Sequence, residues 1–567
     1  MAVIGIDLGT TNSLAAVWRG GKSELIPNSY GEYLTPSVVS VDENDEILTG
    51  KVAKERLITY PNRTASSFKR YMGTDKTYSL GSHTFRAEDL SSFIIRQLKA
   101  DAEAYLKESV TEAVISVPAY FNDNQRSSTK LAGELAGLNV ERIINEPSAA
   151  AIASRDAEDS ENTFLIFDLG GGTLDVSIVE TFENIIEIVA ISGDNHLGGD
   201  DFNAAIAERF YHTYPELSSV LTTQERNTVL RLTERCKIAL SSQSMAGIVY
   251  DYKGKQYEMM LNQEQLIECC ASLFVRIEKV ILHALRDSGK TVNDIDEIVL
   301  VGGSSKMPSI QKYLEHLTGR KLISRVSPDY AVAIGAGIVS GIKSRSAEVK
   351  DLVLTDICPF SLGVNVWDDA AGKTVFDPII ERNTPLPTSN IHIFYTRRDY
   401  QKSIELSIYQ GESLNVENDL LLDKCTIRVP PAPAGKNPIK VCFTYDINGI
   451  LDIEIQPAPG AKPYKKLIVN KNALSKAEIE QHLAALRELK LNPDGQDENS
   501  LLLARGERLY AENSGQIRNA VAAGLNVFRT ALRQHKILEI ERTKRQLSEM
   551  FDRIEEANFG LNEEGLV

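Results

Sequence analysis

Two short segments have the residue types and spacing to do chemistry. Asp7-Leu8-Gly9-Thr10-Thr11-Asn12 follows the apolar run Val3-Ile4-Gly5-Ile6, and Asp168-Leu169-Gly170-Gly171-Gly172-Thr173 follows Phe164-Leu165-Ile166-Phe167. Each reads as a strand, an aspartate and then a Gly/Thr turn. Glycine lets the backbone turn with φ > 0 and brings bare amides onto a phosphate, while the threonines add hydroxyl donors. An acid just before each turn can hold a hydrated Mg2+, an ion that keeps much of its water shell. One such turn is usually no more than a hairpin. Two copies, 168 − 7 = 161 residues apart, place one in each presumptive half-domain and form a clamp on phosphate from both sides. A third pair, Gly302-Gly303, follows Ile298-Val299-Leu300-Val301 and could lie against an adenosine, although in isolation it would more often be a packing turn. No Gly-x-x-x-x-Gly-Lys-[Ser/Thr] string exists, and no Gly-x-Gly-x-x-Gly follows a strand, which argues against a P-loop and a Rossmann site.

The elements that must position these turns follow from the rest of the text. The chain has 567 residues, enough for three to four domains at ~150 residues each. Hydrophobic residues are 43% and charged residues 25%, an ordinary globular mix. Sixty-two Lys+Arg against 78 Asp+Glu leave a net charge of −16, which disfavours general nucleic-acid binding. The start Met1-Ala2-Val3-Ile4-Gly5-Ile6-Asp7 carries no basic leader, and no window reaches the ~18 apolar residues of a membrane helix. The expectation is a cytoplasmic protein with no membrane partner. The six cysteines (Cys236, Cys269, Cys270, Cys358, Cys425, Cys442) include no Cys-x-x-Cys pair and fit reduced thiols. Adjacent Cys269 and Cys270 read as small residues on one helix.

Up to residue 343, β-branched runs such as Ala113-Val114-Ile115-Ser116-Val117 alternate with amphipathic stretches, which implies α/β architecture. The polar patch Lys343-Ser344-Arg345-Ser346 gives way to Asp351-Leu352-Val353-Leu354-Thr355-Asp356. Ordinary linkers are not apolar, so residues 344–356 read as a linker that docks. From 357 to 472 the pattern is all-β: Ile404, Leu406 and Ile408 alternate with Glu405 and Ser407, and Asn448-Gly449 predicts a type I′ hairpin. From 473 to 567 it is helical. Ser475-Lys476-Ala477-Glu478 reads as a capping box, Asn492-Pro493-Asp494-Gly495 must break helices, and Ile517, Val521, Leu525, Phe528 and Leu532 mark one helix face.

Several longer strings resemble the DnaK (seventy-kilodalton heat-shock) chaperone family of the actin and sugar-kinase superfamily. They are Ile4 to Ser13, Val117-Pro118-Ala119-Tyr120-Phe121-Asn122-Asp123, Ile144-Asn145-Glu146-Pro147 and Gly193-Asp194-Asn195-His196-Leu197-Gly198-Gly199. The short chain and weak C-terminal match resemble the HscC-like bacterial branch. The resemblance implies an actin-like ATPase domain (1–343), a linker (344–356), a β-sandwich peptide-binding domain (357–472) and a short α-helical lid (473–567). It implies ATP/ADP and Mg2+, with K+ as a candidate second cation.

Residue by residue, Lys69 matches the catalytic lysine, where a cation can orient the attacking water and offset charge growing on the γ-phosphate. Glu146, Asp168 and Thr173 match further catalytic positions, and Asp7, Asp168 and Asp175 the metal site. Gly9, Thr10, Thr11, Asn12, Gly170, Gly171 and Gly172 match the phosphate turns. Glu234, Lys237 and Ser241, spaced at three and four on one helix face, match the adenosine trio, and Gly302, Gly303, Ser304 and Asp329 complete that pocket. Lys306 stands where the family usually has an arginine stacked on adenine, and lysine lacks the planar guanidinium. With a short Tyr250-Asp251-Tyr252-Lys253-Gly254-Lys255 hairpin, this implies fast nucleotide exchange and a dispensable exchange factor. His196 reads as structural. Pro118, Arg126 and Leu352 match the switch between nucleotide site and linker; Arg142, Asn145 and Asp356 match positions that meet a J-domain co-chaperone. Val364, Phe394, Ile404 and Leu406 match the peptide cleft, and Trp367 and Arg397 the arch over bound peptide, where Arg397 can stack on Trp367.

The expected activity is therefore ATP hydrolysis coupled to binding and release of extended apolar segments of unfolded clients, by a monomer. A sugar kinase would need a base facing a small-molecule cleft and has no use for the C-terminal domains. An actin-like filament protein has no use for them either.

Overall fold

The runs Val3-Ile6 and Phe164-Phe167 are the central strands of two sheets built on one plan. In the computed structural model, which describes residues 2–155, 161–182, 185–343, 349, 352–368, 372–446, 451–468, 486, 498–513, 515–534 and 537–557, the first sheet runs Asn139–Asn145, Val110–Val117, Ala2–Asp7, Asn12–Arg19 and Lys22–Ile26. The second runs Lys321–Ile323, Glu297–Val301, Glu161–Leu169, Leu174–Phe182 and Ile185–Asp194. In both, the first pairings are parallel and the last two antiparallel. The central strands are apolar on both faces because helices cover both sides. Each phosphate-type turn consequently starts where a buried strand ends.

Helices Glu146–Ser154 and Ala331–Lys343 pack together between the halves. Their approach requires glycine: a Cβ on Gly335 would lie 1.9 Å from the Ala149 carbonyl oxygen. A sixth strand, Val353–Thr355, adds in parallel to Ile185–Glu187 at the edge of the second sheet. Leu352 and Leu354 pack on the core beneath it. The apolar run between two acids is thus a docked strand, as its composition implies. Residues 344–348, 350 and 351 lie outside the described residues.

Two four-stranded antiparallel sheets follow. One is Lys373–Ile380, Leu362–Asp368, Ser403–Gln410 and Leu420–Arg428; the other is Thr388–Tyr395, Pro438–Tyr445, Leu451–Gln456 and Tyr464–Ile468. They enclose Leu362, Val364, Ile408, Val441, Phe443 and Ile453. This sandwich rests on the α/β halves through Asp123 N–H to Gln410 Oε1 at 2.9 Å, Arg382 to Asp287 at 2.9 Å, and Tyr120 against Phe360 at 4.6 Å between ring centroids. Helices Glu498–Glu512, Gly515–Arg533 and Ile537–Ala557 bundle around Leu509, Val521, Leu525, Phe528, Leu547 and Phe551. Of the residues expected to mark one face of the middle helix, Val521, Leu525, Phe528 and Leu532 pack into this bundle, whereas Ile517 near its start is exposed. Each buried Leu or Phe contributes on the order of 1.5–3 kcal/mol. Asn448-Gly449, Ser475 to Glu478 and Asn492 to Gly495 lie outside the described residues.

The structure corrects one reading here. Cys269 ends helix Gln263–Cys269 and Cys270 caps it before Ala271–Asp287 begins, so the pair sits at a helix junction and not within one helix. Among the described residues, no helix is long and apolar enough to cross a membrane.

Candidate functional site

The turn after Ala2–Asp7 and the turn after Glu161–Leu169 face each other across a cleft of about 250 Å3. They meet closely enough that a Cβ on Gly171 would fall 1.7 Å from Thr11 Oγ1. Asp7, Gly9, Thr10, Thr11, Asn12, Lys69, Glu146, Asp168, Gly170, Gly171 and Thr173 line one end of this cleft. Glu234, Lys237, Ser241, Gly303, Ser304 and Asp329 line the other, and Gly302 adjoins Asp168 between them, where a Cβ would fall 2.7 Å from Asp168 Oδ1. The cleft therefore has a Gly/Thr end with the right chemistry for phosphates and a mixed end of the right chemistry for a nucleoside.

At the first end, Lys69 is buried (3% exposed) and its Nζ donates to Glu146 Oε1 at 2.7 Å. Asp7 Oδ1 accepts from Ser116 Oγ at 3.0 Å, and Asp175 Oδ1 accepts from the Tyr120 amide at 3.3 Å. Burial, and then the charge of Glu146, push Asp7 and Asp175 up to about 7 and Asp168 well above the usual carboxylate range. Thr11 Oγ1 and Asn203 Oδ1 are buried with no hydrogen-bond partner. Four crowded carboxylates beside one lysine repel a bare triphosphate but suit a triphosphate that brings its own cation. The donor set fits a hydrated Mg2+ held through Asp7 and Asp168; when bound, such an ion draws charge from the phosphate oxygens.

A pH dependence follows. In the nucleotide-free protein these carboxyls keep protons that the unfolded chain gives up near pH ~4. The folded state then binds more protons than the unfolded one between about pH 4 and the raised value of about 7, so stability falls as pH rises through that window. Calorimetry should give a lower melting temperature at pH 8 than at pH 6 without nucleotide, with a smaller difference for Asp175→Asn. The same slope in both proteins would mean that Asp175 is ionised throughout.

Some expected site residues stand elsewhere. Gly172 is not in the cleft wall; it packs behind it, where a Cβ would meet Arg70 Nε at 2.5 Å and Thr10 Cγ2 at 2.6 Å. Asp175 pairs with Asp168 across two strands and also lies behind the wall. Among the described residues no three acidic, histidine or cysteine side chains converge as direct metal ligands, so Asp7, Asp168 and Asp175 do not form a closed site. Ser241 lies in the turn beyond helix Thr223–Ala239, not on its face, yet that turn returns it to the cleft beside Glu234 and Lys237. Lys306 stays outside the wall and is ion-paired with Asp329. The His196 side chain is exposed; its backbone N–H donates to Asp194 and its carbonyl accepts from Arg276, a structural role. Ile238, 59% exposed in the wall of the nucleoside end, has no polar signal and was not legible as a site residue.

Behind the cleft, Arg126 donates to Asn145 Oδ1 at 2.6 Å and to the Ala119 and Phe121 carbonyls at 3.0 Å. Asn145 Nδ2 donates to Asp356 Oδ2 at 2.7 Å. Arg142 lies close enough to feel Asp356, which opposes the downward push of burial on its pKa. Asn145 is 4% exposed, so it is an internal bridge in this conformation and not a surface presented to a partner. Pro118 opens the loop between strand Val110–Val117 and these carbonyls.

In the sandwich, Val364 and Leu406 face inward and are sealed in its core, because their strands alternate around Ile408; they do not line a groove. Phe394 and Ile404 are half-buried against that core. Trp367 and Arg397 are exposed, and the Arg397 guanidinium lies 4.4 Å from the Trp367 ring centroid. The family model described as Hsp70 protein matches residues 3–80 and 76–564 of the chain.

Proposed function

The chain belongs to the Hsp70 family and is a chaperone of that type, and we propose that it couples ATP hydrolysis to the opening and closing of its β-sandwich on extended apolar segments of unfolded proteins. Family membership sets aside the sugar-kinase and filament readings. The observation that carries the coupling is the adjacency of two bridges: Asn145 holds Asp356 of the docked linker, and the next residue, Glu146, holds Lys69. Both stand at the start of helix Glu146–Ser154. Pulling the linker away frees Asn145 and lets its neighbour Glu146 shift without breaking its bond to Lys69, and occupying the cleft biases the linker in return, as linkage requires.

In this reading Lys69 aligns water and offsets charge on the γ-phosphate, the Gly/Thr turns hold the phosphates, and Glu234, Lys237, Ser241 and Ile238 hold the nucleoside. The division into residues 1–343, 344–356, 357–472 and 473–567 follows the same logic. A J-domain co-chaperone would act on the linker strand, where Val353 and Ile185 are exposed side by side. The test is single-turnover hydrolysis with and without an apolar peptide. Stimulation by peptide supports the coupling, and equal rates would end it.

Phe394, Ile404, Trp367 and Arg397 are the proposed peptide contacts. A cation stacked on Trp367 at the rim is worth ~0.5–2 kcal/mol to the pair and should favour acidic flanks over basic ones. Binding of one apolar core flanked by Glu, Gln or Lys should rank Glu first in wild type, and the order should flatten in Arg397→Ala. An identical Lys preference in both proteins would remove Arg397 from the peptide path.

A further inference from the structure

Helix Gly50–Thr59 of the first half and helix Thr223–Ala239 of the second run antiparallel across the mouth of the cleft. Three contacts join them: Lys54 with Glu234 at 3.7 Å, Arg231 with Glu55 at 3.3 Å, and Asn227 Nδ2 donating to the Leu57 carbonyl at 3.2 Å. A second cavity continues outward from the nucleotide cleft. It shares Thr10, Thr11, Asp200, Asn203 and Glu234 with that cleft and is roofed by Lys54, Leu57, Asn227 and Arg231. A nucleotide leaving by this route has to part the two helices.

The C-terminal helices sit on this seam. Leu501 and Ala504 rest on Val38, Leu48, Val52 and Ala53, an apolar footing confined to the first half. Ionic contacts reach both halves. Arg508, fully buried, donates to Glu55, Glu512 and Glu555; Glu512 also pairs with Arg231 at 3.8 Å, and Glu555 with Arg235 at 3.5 Å. Arg505 completes the group by holding Asp552 and Glu555. Burial would raise the Glu55 carboxyl, but Arg231 and Arg508 outweigh it and hold it at about 2. Buried ion pairs of this kind are weak evidence for net stability, yet removing one partner leaves an uncompensated charge. That property suits a latch more than a glue.

We infer that the C-terminal helices strap the two halves together across the cleft mouth, with Arg508 as a positioning residue that slows nucleotide release while these helices are docked. The inference rests on the nucleotide reading above and goes beyond it by giving the helices a second task besides any on the peptide side. Opening the strap, and not an external helper, would then license exchange.

Stopped-flow displacement of the non-hydrolysable fluorescent nucleotide mant-AMPPNP, bound with Mg2+ to the full chain, tests this. Arg508→Gln and Glu512→Gln should each release it at least tenfold faster with unchanged association, and Arg508→Lys should fall between. Far-UV circular dichroism checks that the helices persist; if Arg508→Gln loses them, Glu512→Gln and Arg235→Gln decide. Release within twofold of wild type in the folded variants overturns the strap, as does a parallel change in association and release. Failure of the wild type to bind the probe at all would instead overturn the nucleotide reading.

Discussion

Lys69→Ala should lower single-turnover ATP hydrolysis by about 10²–10³-fold, the scale of losing one preorganised charge donor at a reacting centre, while nucleotide still binds. The geometry gives the reason. Lys69 is buried and held at 2.7 Å by Glu146, so its ammonium is fixed before substrate arrives and costs no reorganisation during the reaction. Phosphoryl transfer depends on such positioning more than on covalent help from the protein. Binding draws on the Gly/Thr turns and the nucleoside end, which the substitution leaves in place. Glu146→Gln keeps the lysine but loosens its orientation, and a smaller loss is expected. Rapid-quench measurement with saturating nucleotide separates the two. A Lys69→Ala rate within a few-fold of wild type would show that the lysine serves only to neutralise its carboxylate neighbours.

The phosphate turns were legible because each is a local string whose chemistry depends on residues within six positions. The docked linker was legible for a similar reason, since an apolar run between Asp351 and Asp356 must find a partner surface. The peptide side was less so. By themselves Phe394, Ile404 and Leu406 read as sandwich core, and only the resemblance assigned Leu406 and Val364 to a cleft; both lie in that core. Ser241 illustrates a different limit: spacing of four suggested one helix face, and the helix ends at Ala239. The seam of Lys54 with Glu234 and Glu55 with Arg231 had no local signal. Its partners are about 180 residues apart and each alone looks like a solvated charge. Ile238 was hidden for the opposite reason, as an aliphatic side chain in a helix that already had a core face.

Asn145→Ala should abolish most of the peptide stimulation of ATPase while basal hydrolysis stays within a few-fold of wild type. Asn145 is the bridge in Arg126–Asn145–Asp356, accepting at 2.6 Å from one and donating at 2.7 Å to the other. Arg126 keeps its two carbonyl acceptors and Asp356 keeps the Ile357 amide at 2.9 Å, so the site is weakened, not emptied. Losing a buried hydrogen-bond partner costs roughly 1–3 kcal/mol, and here that loss falls on the docked linker because Asp356 belongs to it. At 1.4 kcal/mol per factor of ten, the docked population relative to the undocked one drops about 5- to 150-fold. Glu146 and Lys69 keep their contact, so chemistry itself survives. Asn145→Asp should uncouple further, since it sets a second carboxylate against Asp356. Fluorescence transfer between the first sheet and the sandwich, read on adding ATP, reports the docked fraction alongside the stimulated rate. Full stimulation with undiminished transfer in Asn145→Ala would mean that the linker is held by its strand pairing to Ile185–Glu187 alone, and that the route from linker to Lys69 does not pass through this bridge.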